Sequence, residues 1–212
     1  MNYLELINKC LLELNYKQIN TMSELIKNDH KKIMTVLNIV NKEICNIENW
    51  NFLLRKTKLD IPKNTVEVAN PIHGRILYLI ADKKKYKYSD NIDLFLTGRA
   101  NSDTYSICND KLLFTPSNKT RSADIIYYTQ MCTQDKDGNE KEDFSQETDK
   151  TVIPMPFAEQ LLVYGTCLRV KANPSYIRFN YWMSMYNTAL ANLKSKTCID
   201  SNEAPSIRLL RE

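Results

Sequence analysis

The sequence predicts an α+β protein: a helical bundle drawn from both ends of the chain, an inserted small antiparallel β-sandwich or barrel, and an extended C-terminal tail. Three observations carry this reading. Apolar residues recur at helical spacing over residues 22–49, the period switches to two between 51 and 134, and helical spacing returns over 153–196. The expected organisation is therefore 1–50 with 153–196 as the bundle, 51–134 as the β domain, 135–152 as a flexible acidic loop and 197–212 as the tail.

The elements follow in order. Leu4, Ile7, Leu11 and Leu14 line one side of a first helix over 2–15, with Glu5, Lys9 and Glu13 opposite, and Asn15-Tyr16-Lys17-Gln18 breaks it. Thr21 or Ser23 caps the next helix, expected over 22–49. Its seam of Ile26, His30, Ile33, Leu37, Val40, Ile44 and Ile47 is heptad-like and needs other helices to cover it. His30 reads as a core-edge histidine. Alternation of Leu59 and Ile61 with Lys58 and Asp60 begins a series of short strands, continued by Ile76–Ile80, Ile92–Leu96, Tyr105–Cys108, Leu112–Phe114 and Ala123–Met131. The run around Asp137-Gly138 is polar and acidic and reads as a loop. Pro154 and Pro156 lead into a helix over 157–172, and Asn173-Pro174-Ser175 separates it from a last helix over 176–195. Tyr181, Met185, Ala189 and Leu193 line one face of that helix, with Trp182, Tyr186 and Leu190 alongside.

Composition narrows the function. Hydrophobic content of 43% and charged content of 25% fit a globular domain. No apolar run is long enough to span a bilayer, and the N-terminus lacks the features of a secretory signal, so a non-secreted chain is expected. Cys10, Cys45, Cys108, Cys132, Cys167 and Cys198 show no close pairing, which favours reduced thiols over a disulfide framework or zinc ribbon. The net charge of +4 is uneven: residues 51–134 carry thirteen basic against eight acidic side chains, and residues 135–150 carry three against seven. That excess is modest for a free-standing nucleic-acid binder.

Motifs that carry chemistry are sparse. Asp135-Lys136-Asp137-Gly138-Asn139-Glu140 has the residues of a calcium loop without its terminal glutamate spacing, and a solvated turn is expected. The carboxylates of 135–150 have nothing to desolvate them for acid–base work, and no Ser or Cys carries an activated-nucleophile signature. No catalytic, metal or cofactor residues are expected, and the chain is not expected to be an enzyme. Lys83, Lys84, Lys85 and Lys87, interleaved with Tyr86 and Tyr88, are candidates for DNA or partner contact, although a solvated loop or guarded sheet edge is the preferred reading of such a run. Trp50 and Phe52 are expected to anchor the junction of helix and sheet. Tyr181, Trp182, Met185 and Tyr186 are expected to pack the bundle or its subunit contacts, since both demand buried aromatics.

Two bracketing regions resemble a known family. Leu4-Glu5-Leu6-Ile7-Asn8-Lys9-Cys10-Leu11-Leu12-Glu13-Leu14, the long helix up to Trp50-Asn51-Phe52, and Leu59-Asp60-Ile61-Pro62 form the first. Ile153-Pro154-Met155-Pro156-Phe157, Leu161-Leu162-Val163-Tyr164-Gly165, Tyr181-Trp182-Met183-Ser184-Met185-Tyr186 and Ala189-Leu190-Ala191-Asn192-Leu193-Lys194 form the second. Over about half of its length the chain thus resembles the head-to-tail adaptor, or tail tubular, ring proteins of short-tailed bacteriophages, including those of crAss-like phages. It departs from them at Asn15, where the family often has glycine. The resemblance implies a non-catalytic virion protein, assembled in the bacterial cytoplasm, that forms a homo-oligomeric ring, typically dodecameric. Such a ring sits beneath the portal protein, extends the DNA channel with transient contact to the genome, and presents a platform to the next tail ring or nozzle component. In that setting Ile207, Leu209 and Leu210, with Pro205, are expected to anchor the tail on a neighbouring ring, and Arg208 and Arg211 to make charge contacts. The rival readings are a nucleic-acid-binding module and a tail-associated cell-wall hydrolase, the latter needing two carboxylates roughly 5–9.5 Å apart in a cleft.

Overall fold

The computed structural model describes residues 1–198, and Ile207, Arg208, Leu209, Leu210 and Arg211 lie outside the described residues. The chain divides into two compact units, one continuous over Leu53–Gln130 and one assembled from Met1–Phe52 and the residues from Met131 onward.

The discontinuous unit holds α1 (Tyr3–Glu13), α2 (Asn28–Ile47), α4 (Phe157–Val170) and α5 (Phe179–Cys198). Asn2 starts α1 with a reciprocal cap: its side chain accepts from the Glu5 N–H, and the Glu5 carboxylate accepts from the Asn2 N–H, both at 2.8 Å. Asn15 ends it with φ 59°, and the Tyr16 N–H closes back on the Leu11 carbonyl at 2.7 Å. Asparagine tolerates this left-handed position, so glycine is not required there. α2 starts later than its periodicity suggests, because Thr21 caps a separate 3-10 turn at Met22–Glu24. The seam shortens accordingly. Ile33, Leu37, Val40 and Ile44 are buried, whereas Ile26 is 78% exposed and Ile47 is exposed at the far end. α4 packs against α1, α2 and α5 and buries residues around most of its circumference, as a central helix must.

The continuous unit holds β1 (Leu54–Ile61), β2 (Glu67–Ala69), β3 (Gly74–Ala81), β4 (Lys84–Tyr88), the short helix α3 (Asp93–Leu96), β5 (Thr104–Cys108), β6 (Lys111–Phe114) and β7 (Arg121–Thr129). They form one seven-stranded sheet in the order β1-β7-β3-β4-β5-β6-β2. Every pairing is antiparallel except β4 with β5. Leu59, Ile61, Leu79, Tyr86, Tyr105, Leu112, Phe114 and Ile125 meet in its core. Gly74 faces β7 so closely that an added Cβ would lie 2.0 Å from the Tyr128 carbonyl oxygen. Gly74→Ala is therefore expected to destabilise this unit by roughly 1–3 kcal/mol, read as a lower urea midpoint, because backbone rather than a side-chain tip must move.

These observations correct the expected fold class. The β part is not a small sandwich or barrel inserted in a helical bundle; a seven-stranded sheet is the largest single assembly of the fold. Strand-period sequence marked the individual strands, but the order that brings β7 between β1 and β3 depends on long-range pairing. Ile92–Leu96, expected as a strand, contributes α3 instead. The acidic segment, expected as a flexible loop, is also corrected. It supplies β9 (Glu140–Lys141) and β10 (Lys150–Thr151), which pair with β8 (Thr133–Gln134), from the end of the expected β domain, in a second sheet of order β10-β8-β9.

Side chains from α2 explain that order. Asn41 is fully buried, its amide donating to the Cys132 carbonyl at 3.0 Å and its oxygen accepting from the Thr151 hydroxyl at 2.7 Å. One turn earlier, Asn38 both donates to and accepts from the Phe144 backbone. Phe144 stacks on Tyr3 with ring centres 4.7 Å apart, and Lys42 pairs with Glu142 and Asp143.

Candidate interaction surfaces

The aromatic residues singled out from sequence divide between core and surface. Trp50 is buried, donates its indole N–H to the Ile44 carbonyl at 2.6 Å and stacks on half-buried Phe52 with ring centres 5.7 Å apart. Trp182 is buried too. Its indole N–H donates to the Glu13 carboxylate at 2.9 Å, which also pairs with Arg178, and its ring stacks on Tyr176 at 5.3 Å. Met185 and Tyr186 are half-buried, and Tyr186 lies against Gly165, where an added Cβ would come 3.0 Å from its ring. Glycine at 165 thus permits the close approach of α4 and α5.

Tyr181 behaves differently. It is 50% exposed and meets Tyr164 edge-on at 5.8 Å, with the two hydroxyls 3.4 Å apart. Burial and the neighbouring Tyr181 hydroxyl push the Tyr164 phenol well above its ordinary pKa. Leu12 on α1, 60% exposed, and Val163 line a shallow depression with Tyr164 and with the charged side chains of Lys9, Glu13 and Glu159. Met183, two residues beyond Tyr181, turns about 200° around α5 and so lies on its other flank. It is 41% exposed and borders an apolar concavity of about 340 Å³ with Leu168, Ala172, Phe179 and Tyr186. Sequence periodicity placed Tyr181 on the packed face. The buried line of α5 instead runs through Trp182, Ala189 and Leu193, leaving apolar side chains on both flanks.

The lysine run lies on a hairpin. Asp82 and Lys83 both have positive φ, at 51° and 61°, and join β3 to β4 in a two-residue turn of the primed kind. Lys84, Lys85 and Lys87 are exposed on β4 and Tyr86 is buried between them; Lys85 sits 4.0 Å from the centre of the Tyr78 ring. Asp135, first residue of the calcium-like fragment, turns its carboxylate inward to accept from the N–H groups of Asp137 and Asn139 and from the Asn139 amide. Those bonds hold its pKa below the ordinary aspartate value and close a turn. Among the described residues no group of three or more His, Cys, Asp or Glu is arranged to hold a metal ion, and no helix is long and apolar enough to cross a membrane. The chain matches no protein-family model and no curated protein.

Proposed function

We infer that the protein is a structural subunit of a closed homo-oligomeric ring, placed at the head–tail connector of a short-tailed phage. The observation that carries this reading is the pair of unlike surfaces on opposite flanks of α5, one mixing aromatic and charged side chains and the other apolar. A ring closes through heterologous contacts, in which each subunit offers two different surfaces, one to each neighbour. The Tyr164–Tyr181 pair, beside a shallow depression that Leu12 and Val163 share with Lys9, Glu13 and Glu159, and the apolar concavity around Met183 meet that requirement. Exposed apolar patches on a folded unit mark interaction sites more often than they mark nothing. The placement at the connector, with portal and next tail component as neighbours and genomic DNA in the channel, and the expected dodecamer rest on the resemblance in the two bracketing regions.

Native mass spectrometry and electron microscopy of the purified chain, with and without the portal protein, test the proposal. A closed ring, or a monomer that becomes a ring on the portal, supports it. Met183→Lys, which puts a charge on one flank and touches little of the core, is expected to leave the circular dichroism spectrum unchanged and reduce ring formation at least tenfold, the equivalent of about 1.4 kcal/mol per contact. A chain that stays monomeric with and without portal protein would sink the reading. Steeply salt-dependent DNA binding by that monomer would move attention to the Lys83–Lys87 hairpin.

A further inference from the structure

We propose that the continuous unit binds a small, singly charged oxyanion, of the carboxylate or monoanionic phosphate class, in a cavity built on Arg121. Arg121 opens β7 and is only 7% exposed. One terminal nitrogen of its guanidinium donates to the Tyr86 hydroxyl at 2.7 Å and the other to the Thr115 carbonyl at 2.9 Å. Both partners are neutral. Among the described residues no carboxylate forms an ion pair with this guanidinium, and its Nε–H is buried without any acceptor. A buried cation held only by neutral groups is destabilising unless a counter-charge reaches it, and an unmet buried donor adds to that cost.

The place for such a charge adjoins it. A cavity of about 260 Å³ is lined by Lys84, Tyr86, Ser117 and Arg121, together with Asp82 and Asp103. Arg121 borders the cavity with its terminal nitrogens engaged by Tyr86 and Thr115, each retaining one further N–H that an oxygen of a carboxylate or phosphate can meet. Lys84 adds a second positive charge and Ser117 a hydroxyl donor. Asp82 and Asp103 work against this, and they set the selectivity: two nearby negative charges disfavour polyanions and leave a compact single charge as the species the cavity accepts. The cavity lies wholly within residues 81–121, so the site does not depend on ring formation.

The experiment follows the Nε–H resonance of Arg121 by NMR in the full chain, titrated with sodium acetate, sodium phosphate or sodium chloride at constant ionic strength. A saturable shift with acetate, phosphate or both, absent with chloride, is the expected result. Lys84→Ala, an exposed residue whose loss spares the core, is expected to weaken that binding roughly fivefold. A shift equal in all three salts, or none, overturns the proposal. A short single-stranded oligonucleotide is the fourth arm; binding of it alone also overturns the proposal, since the phosphate would then be read as part of a polymer on the hairpin.

Discussion

Trp50→Ala is expected to cost the discontinuous unit about 3–5 kcal/mol, the range for truncating a fully buried large aromatic. The loss has two parts. The ring is buried and stacks on Phe52, so its removal opens a cavity beside α2. The indole N–H also completes the end of that helix. Ile44 is among the last four residues of α2, whose carbonyls have no partner within the helix, and the Trp50 N–H meets the Ile44 oxygen. Trp50→Phe keeps a six-membered aromatic ring and removes the pyrrole half together with its donor, so it should cost less, about 1–3 kcal/mol. The measurement is urea unfolding followed by near-ultraviolet circular dichroism, with the midpoint compared at constant slope. Equal effects of the two substitutions would show that the loss resides in the pyrrole half with its hydrogen bond, and that the remaining six-membered ring contributes nothing.

Local rules made much of the helical framework legible. The apolar face of α1, the α2 seam from Ile33 to Ile44 and the proline-bounded start of α4 are read from spacing and residue type alone, whereas the capping pair Asn2 and Glu5 emerged only in the structure. What escaped the sequence was decided by distant partners. Nothing near Asn38 or Asn41 announces that each will hold a backbone segment about a hundred residues away, and so the acidic segment passed for a solvated loop. The strand order was not legible for the same reason, since an alternating pattern fixes which side chains share a face but not which strand lies alongside. On α5, aromatic side chains fall on three sides of the helix, and periodicity has no means of telling a buried tryptophan from an exposed tyrosine one residue earlier. Trp182 is told apart by its contact with Glu13, and Tyr181 by its half-exposed, edge-on contact with Tyr164. The Arg121 cavity had no linear signature at all, because its lining converges from β4, β7 and two loops.

Asp149→Ala should cost about 3 kcal/mol and remove part of the protein's sensitivity to acid. The Asp149 side chain is fully buried. One carboxylate oxygen accepts from the Lys141 ammonium at 2.8 Å and from the backbone N–H groups of Ser145 and Gln146 at 2.7 and 2.8 Å. The Asp149 carbonyl in turn accepts from the Tyr3 N–H, one of the orphan donors at the start of α1. A single residue therefore ties the small sheet together and seats it on α1. Removing the carboxylate leaves the Ser145 and Gln146 N–H groups without their acceptor and the Lys141 ammonium with the Ser145 hydroxyl but no counter-charge from Asp149, and losing one member of a charged, hydrogen-bonded set is the costly kind of deletion. Burial alone would raise the Asp149 pKa; the Lys141 charge and the two N–H groups outweigh it and hold the carboxyl below its ordinary value. The folded pKa thus lies below the unfolded one of about 3.9, so the stabilisation is complete above that pH and is lost as pH falls through the folded value. Asp149→Asn keeps the size and removes the titration. Its unfolding free energy should fall less steeply than that of the native protein below about pH 4, while lying lower at neutral pH. Parallel pH profiles for the two proteins would mean that the carboxylate makes no net charge-dependent contribution, and that the small sheet is held by the Asn38 and Asn41 contacts instead.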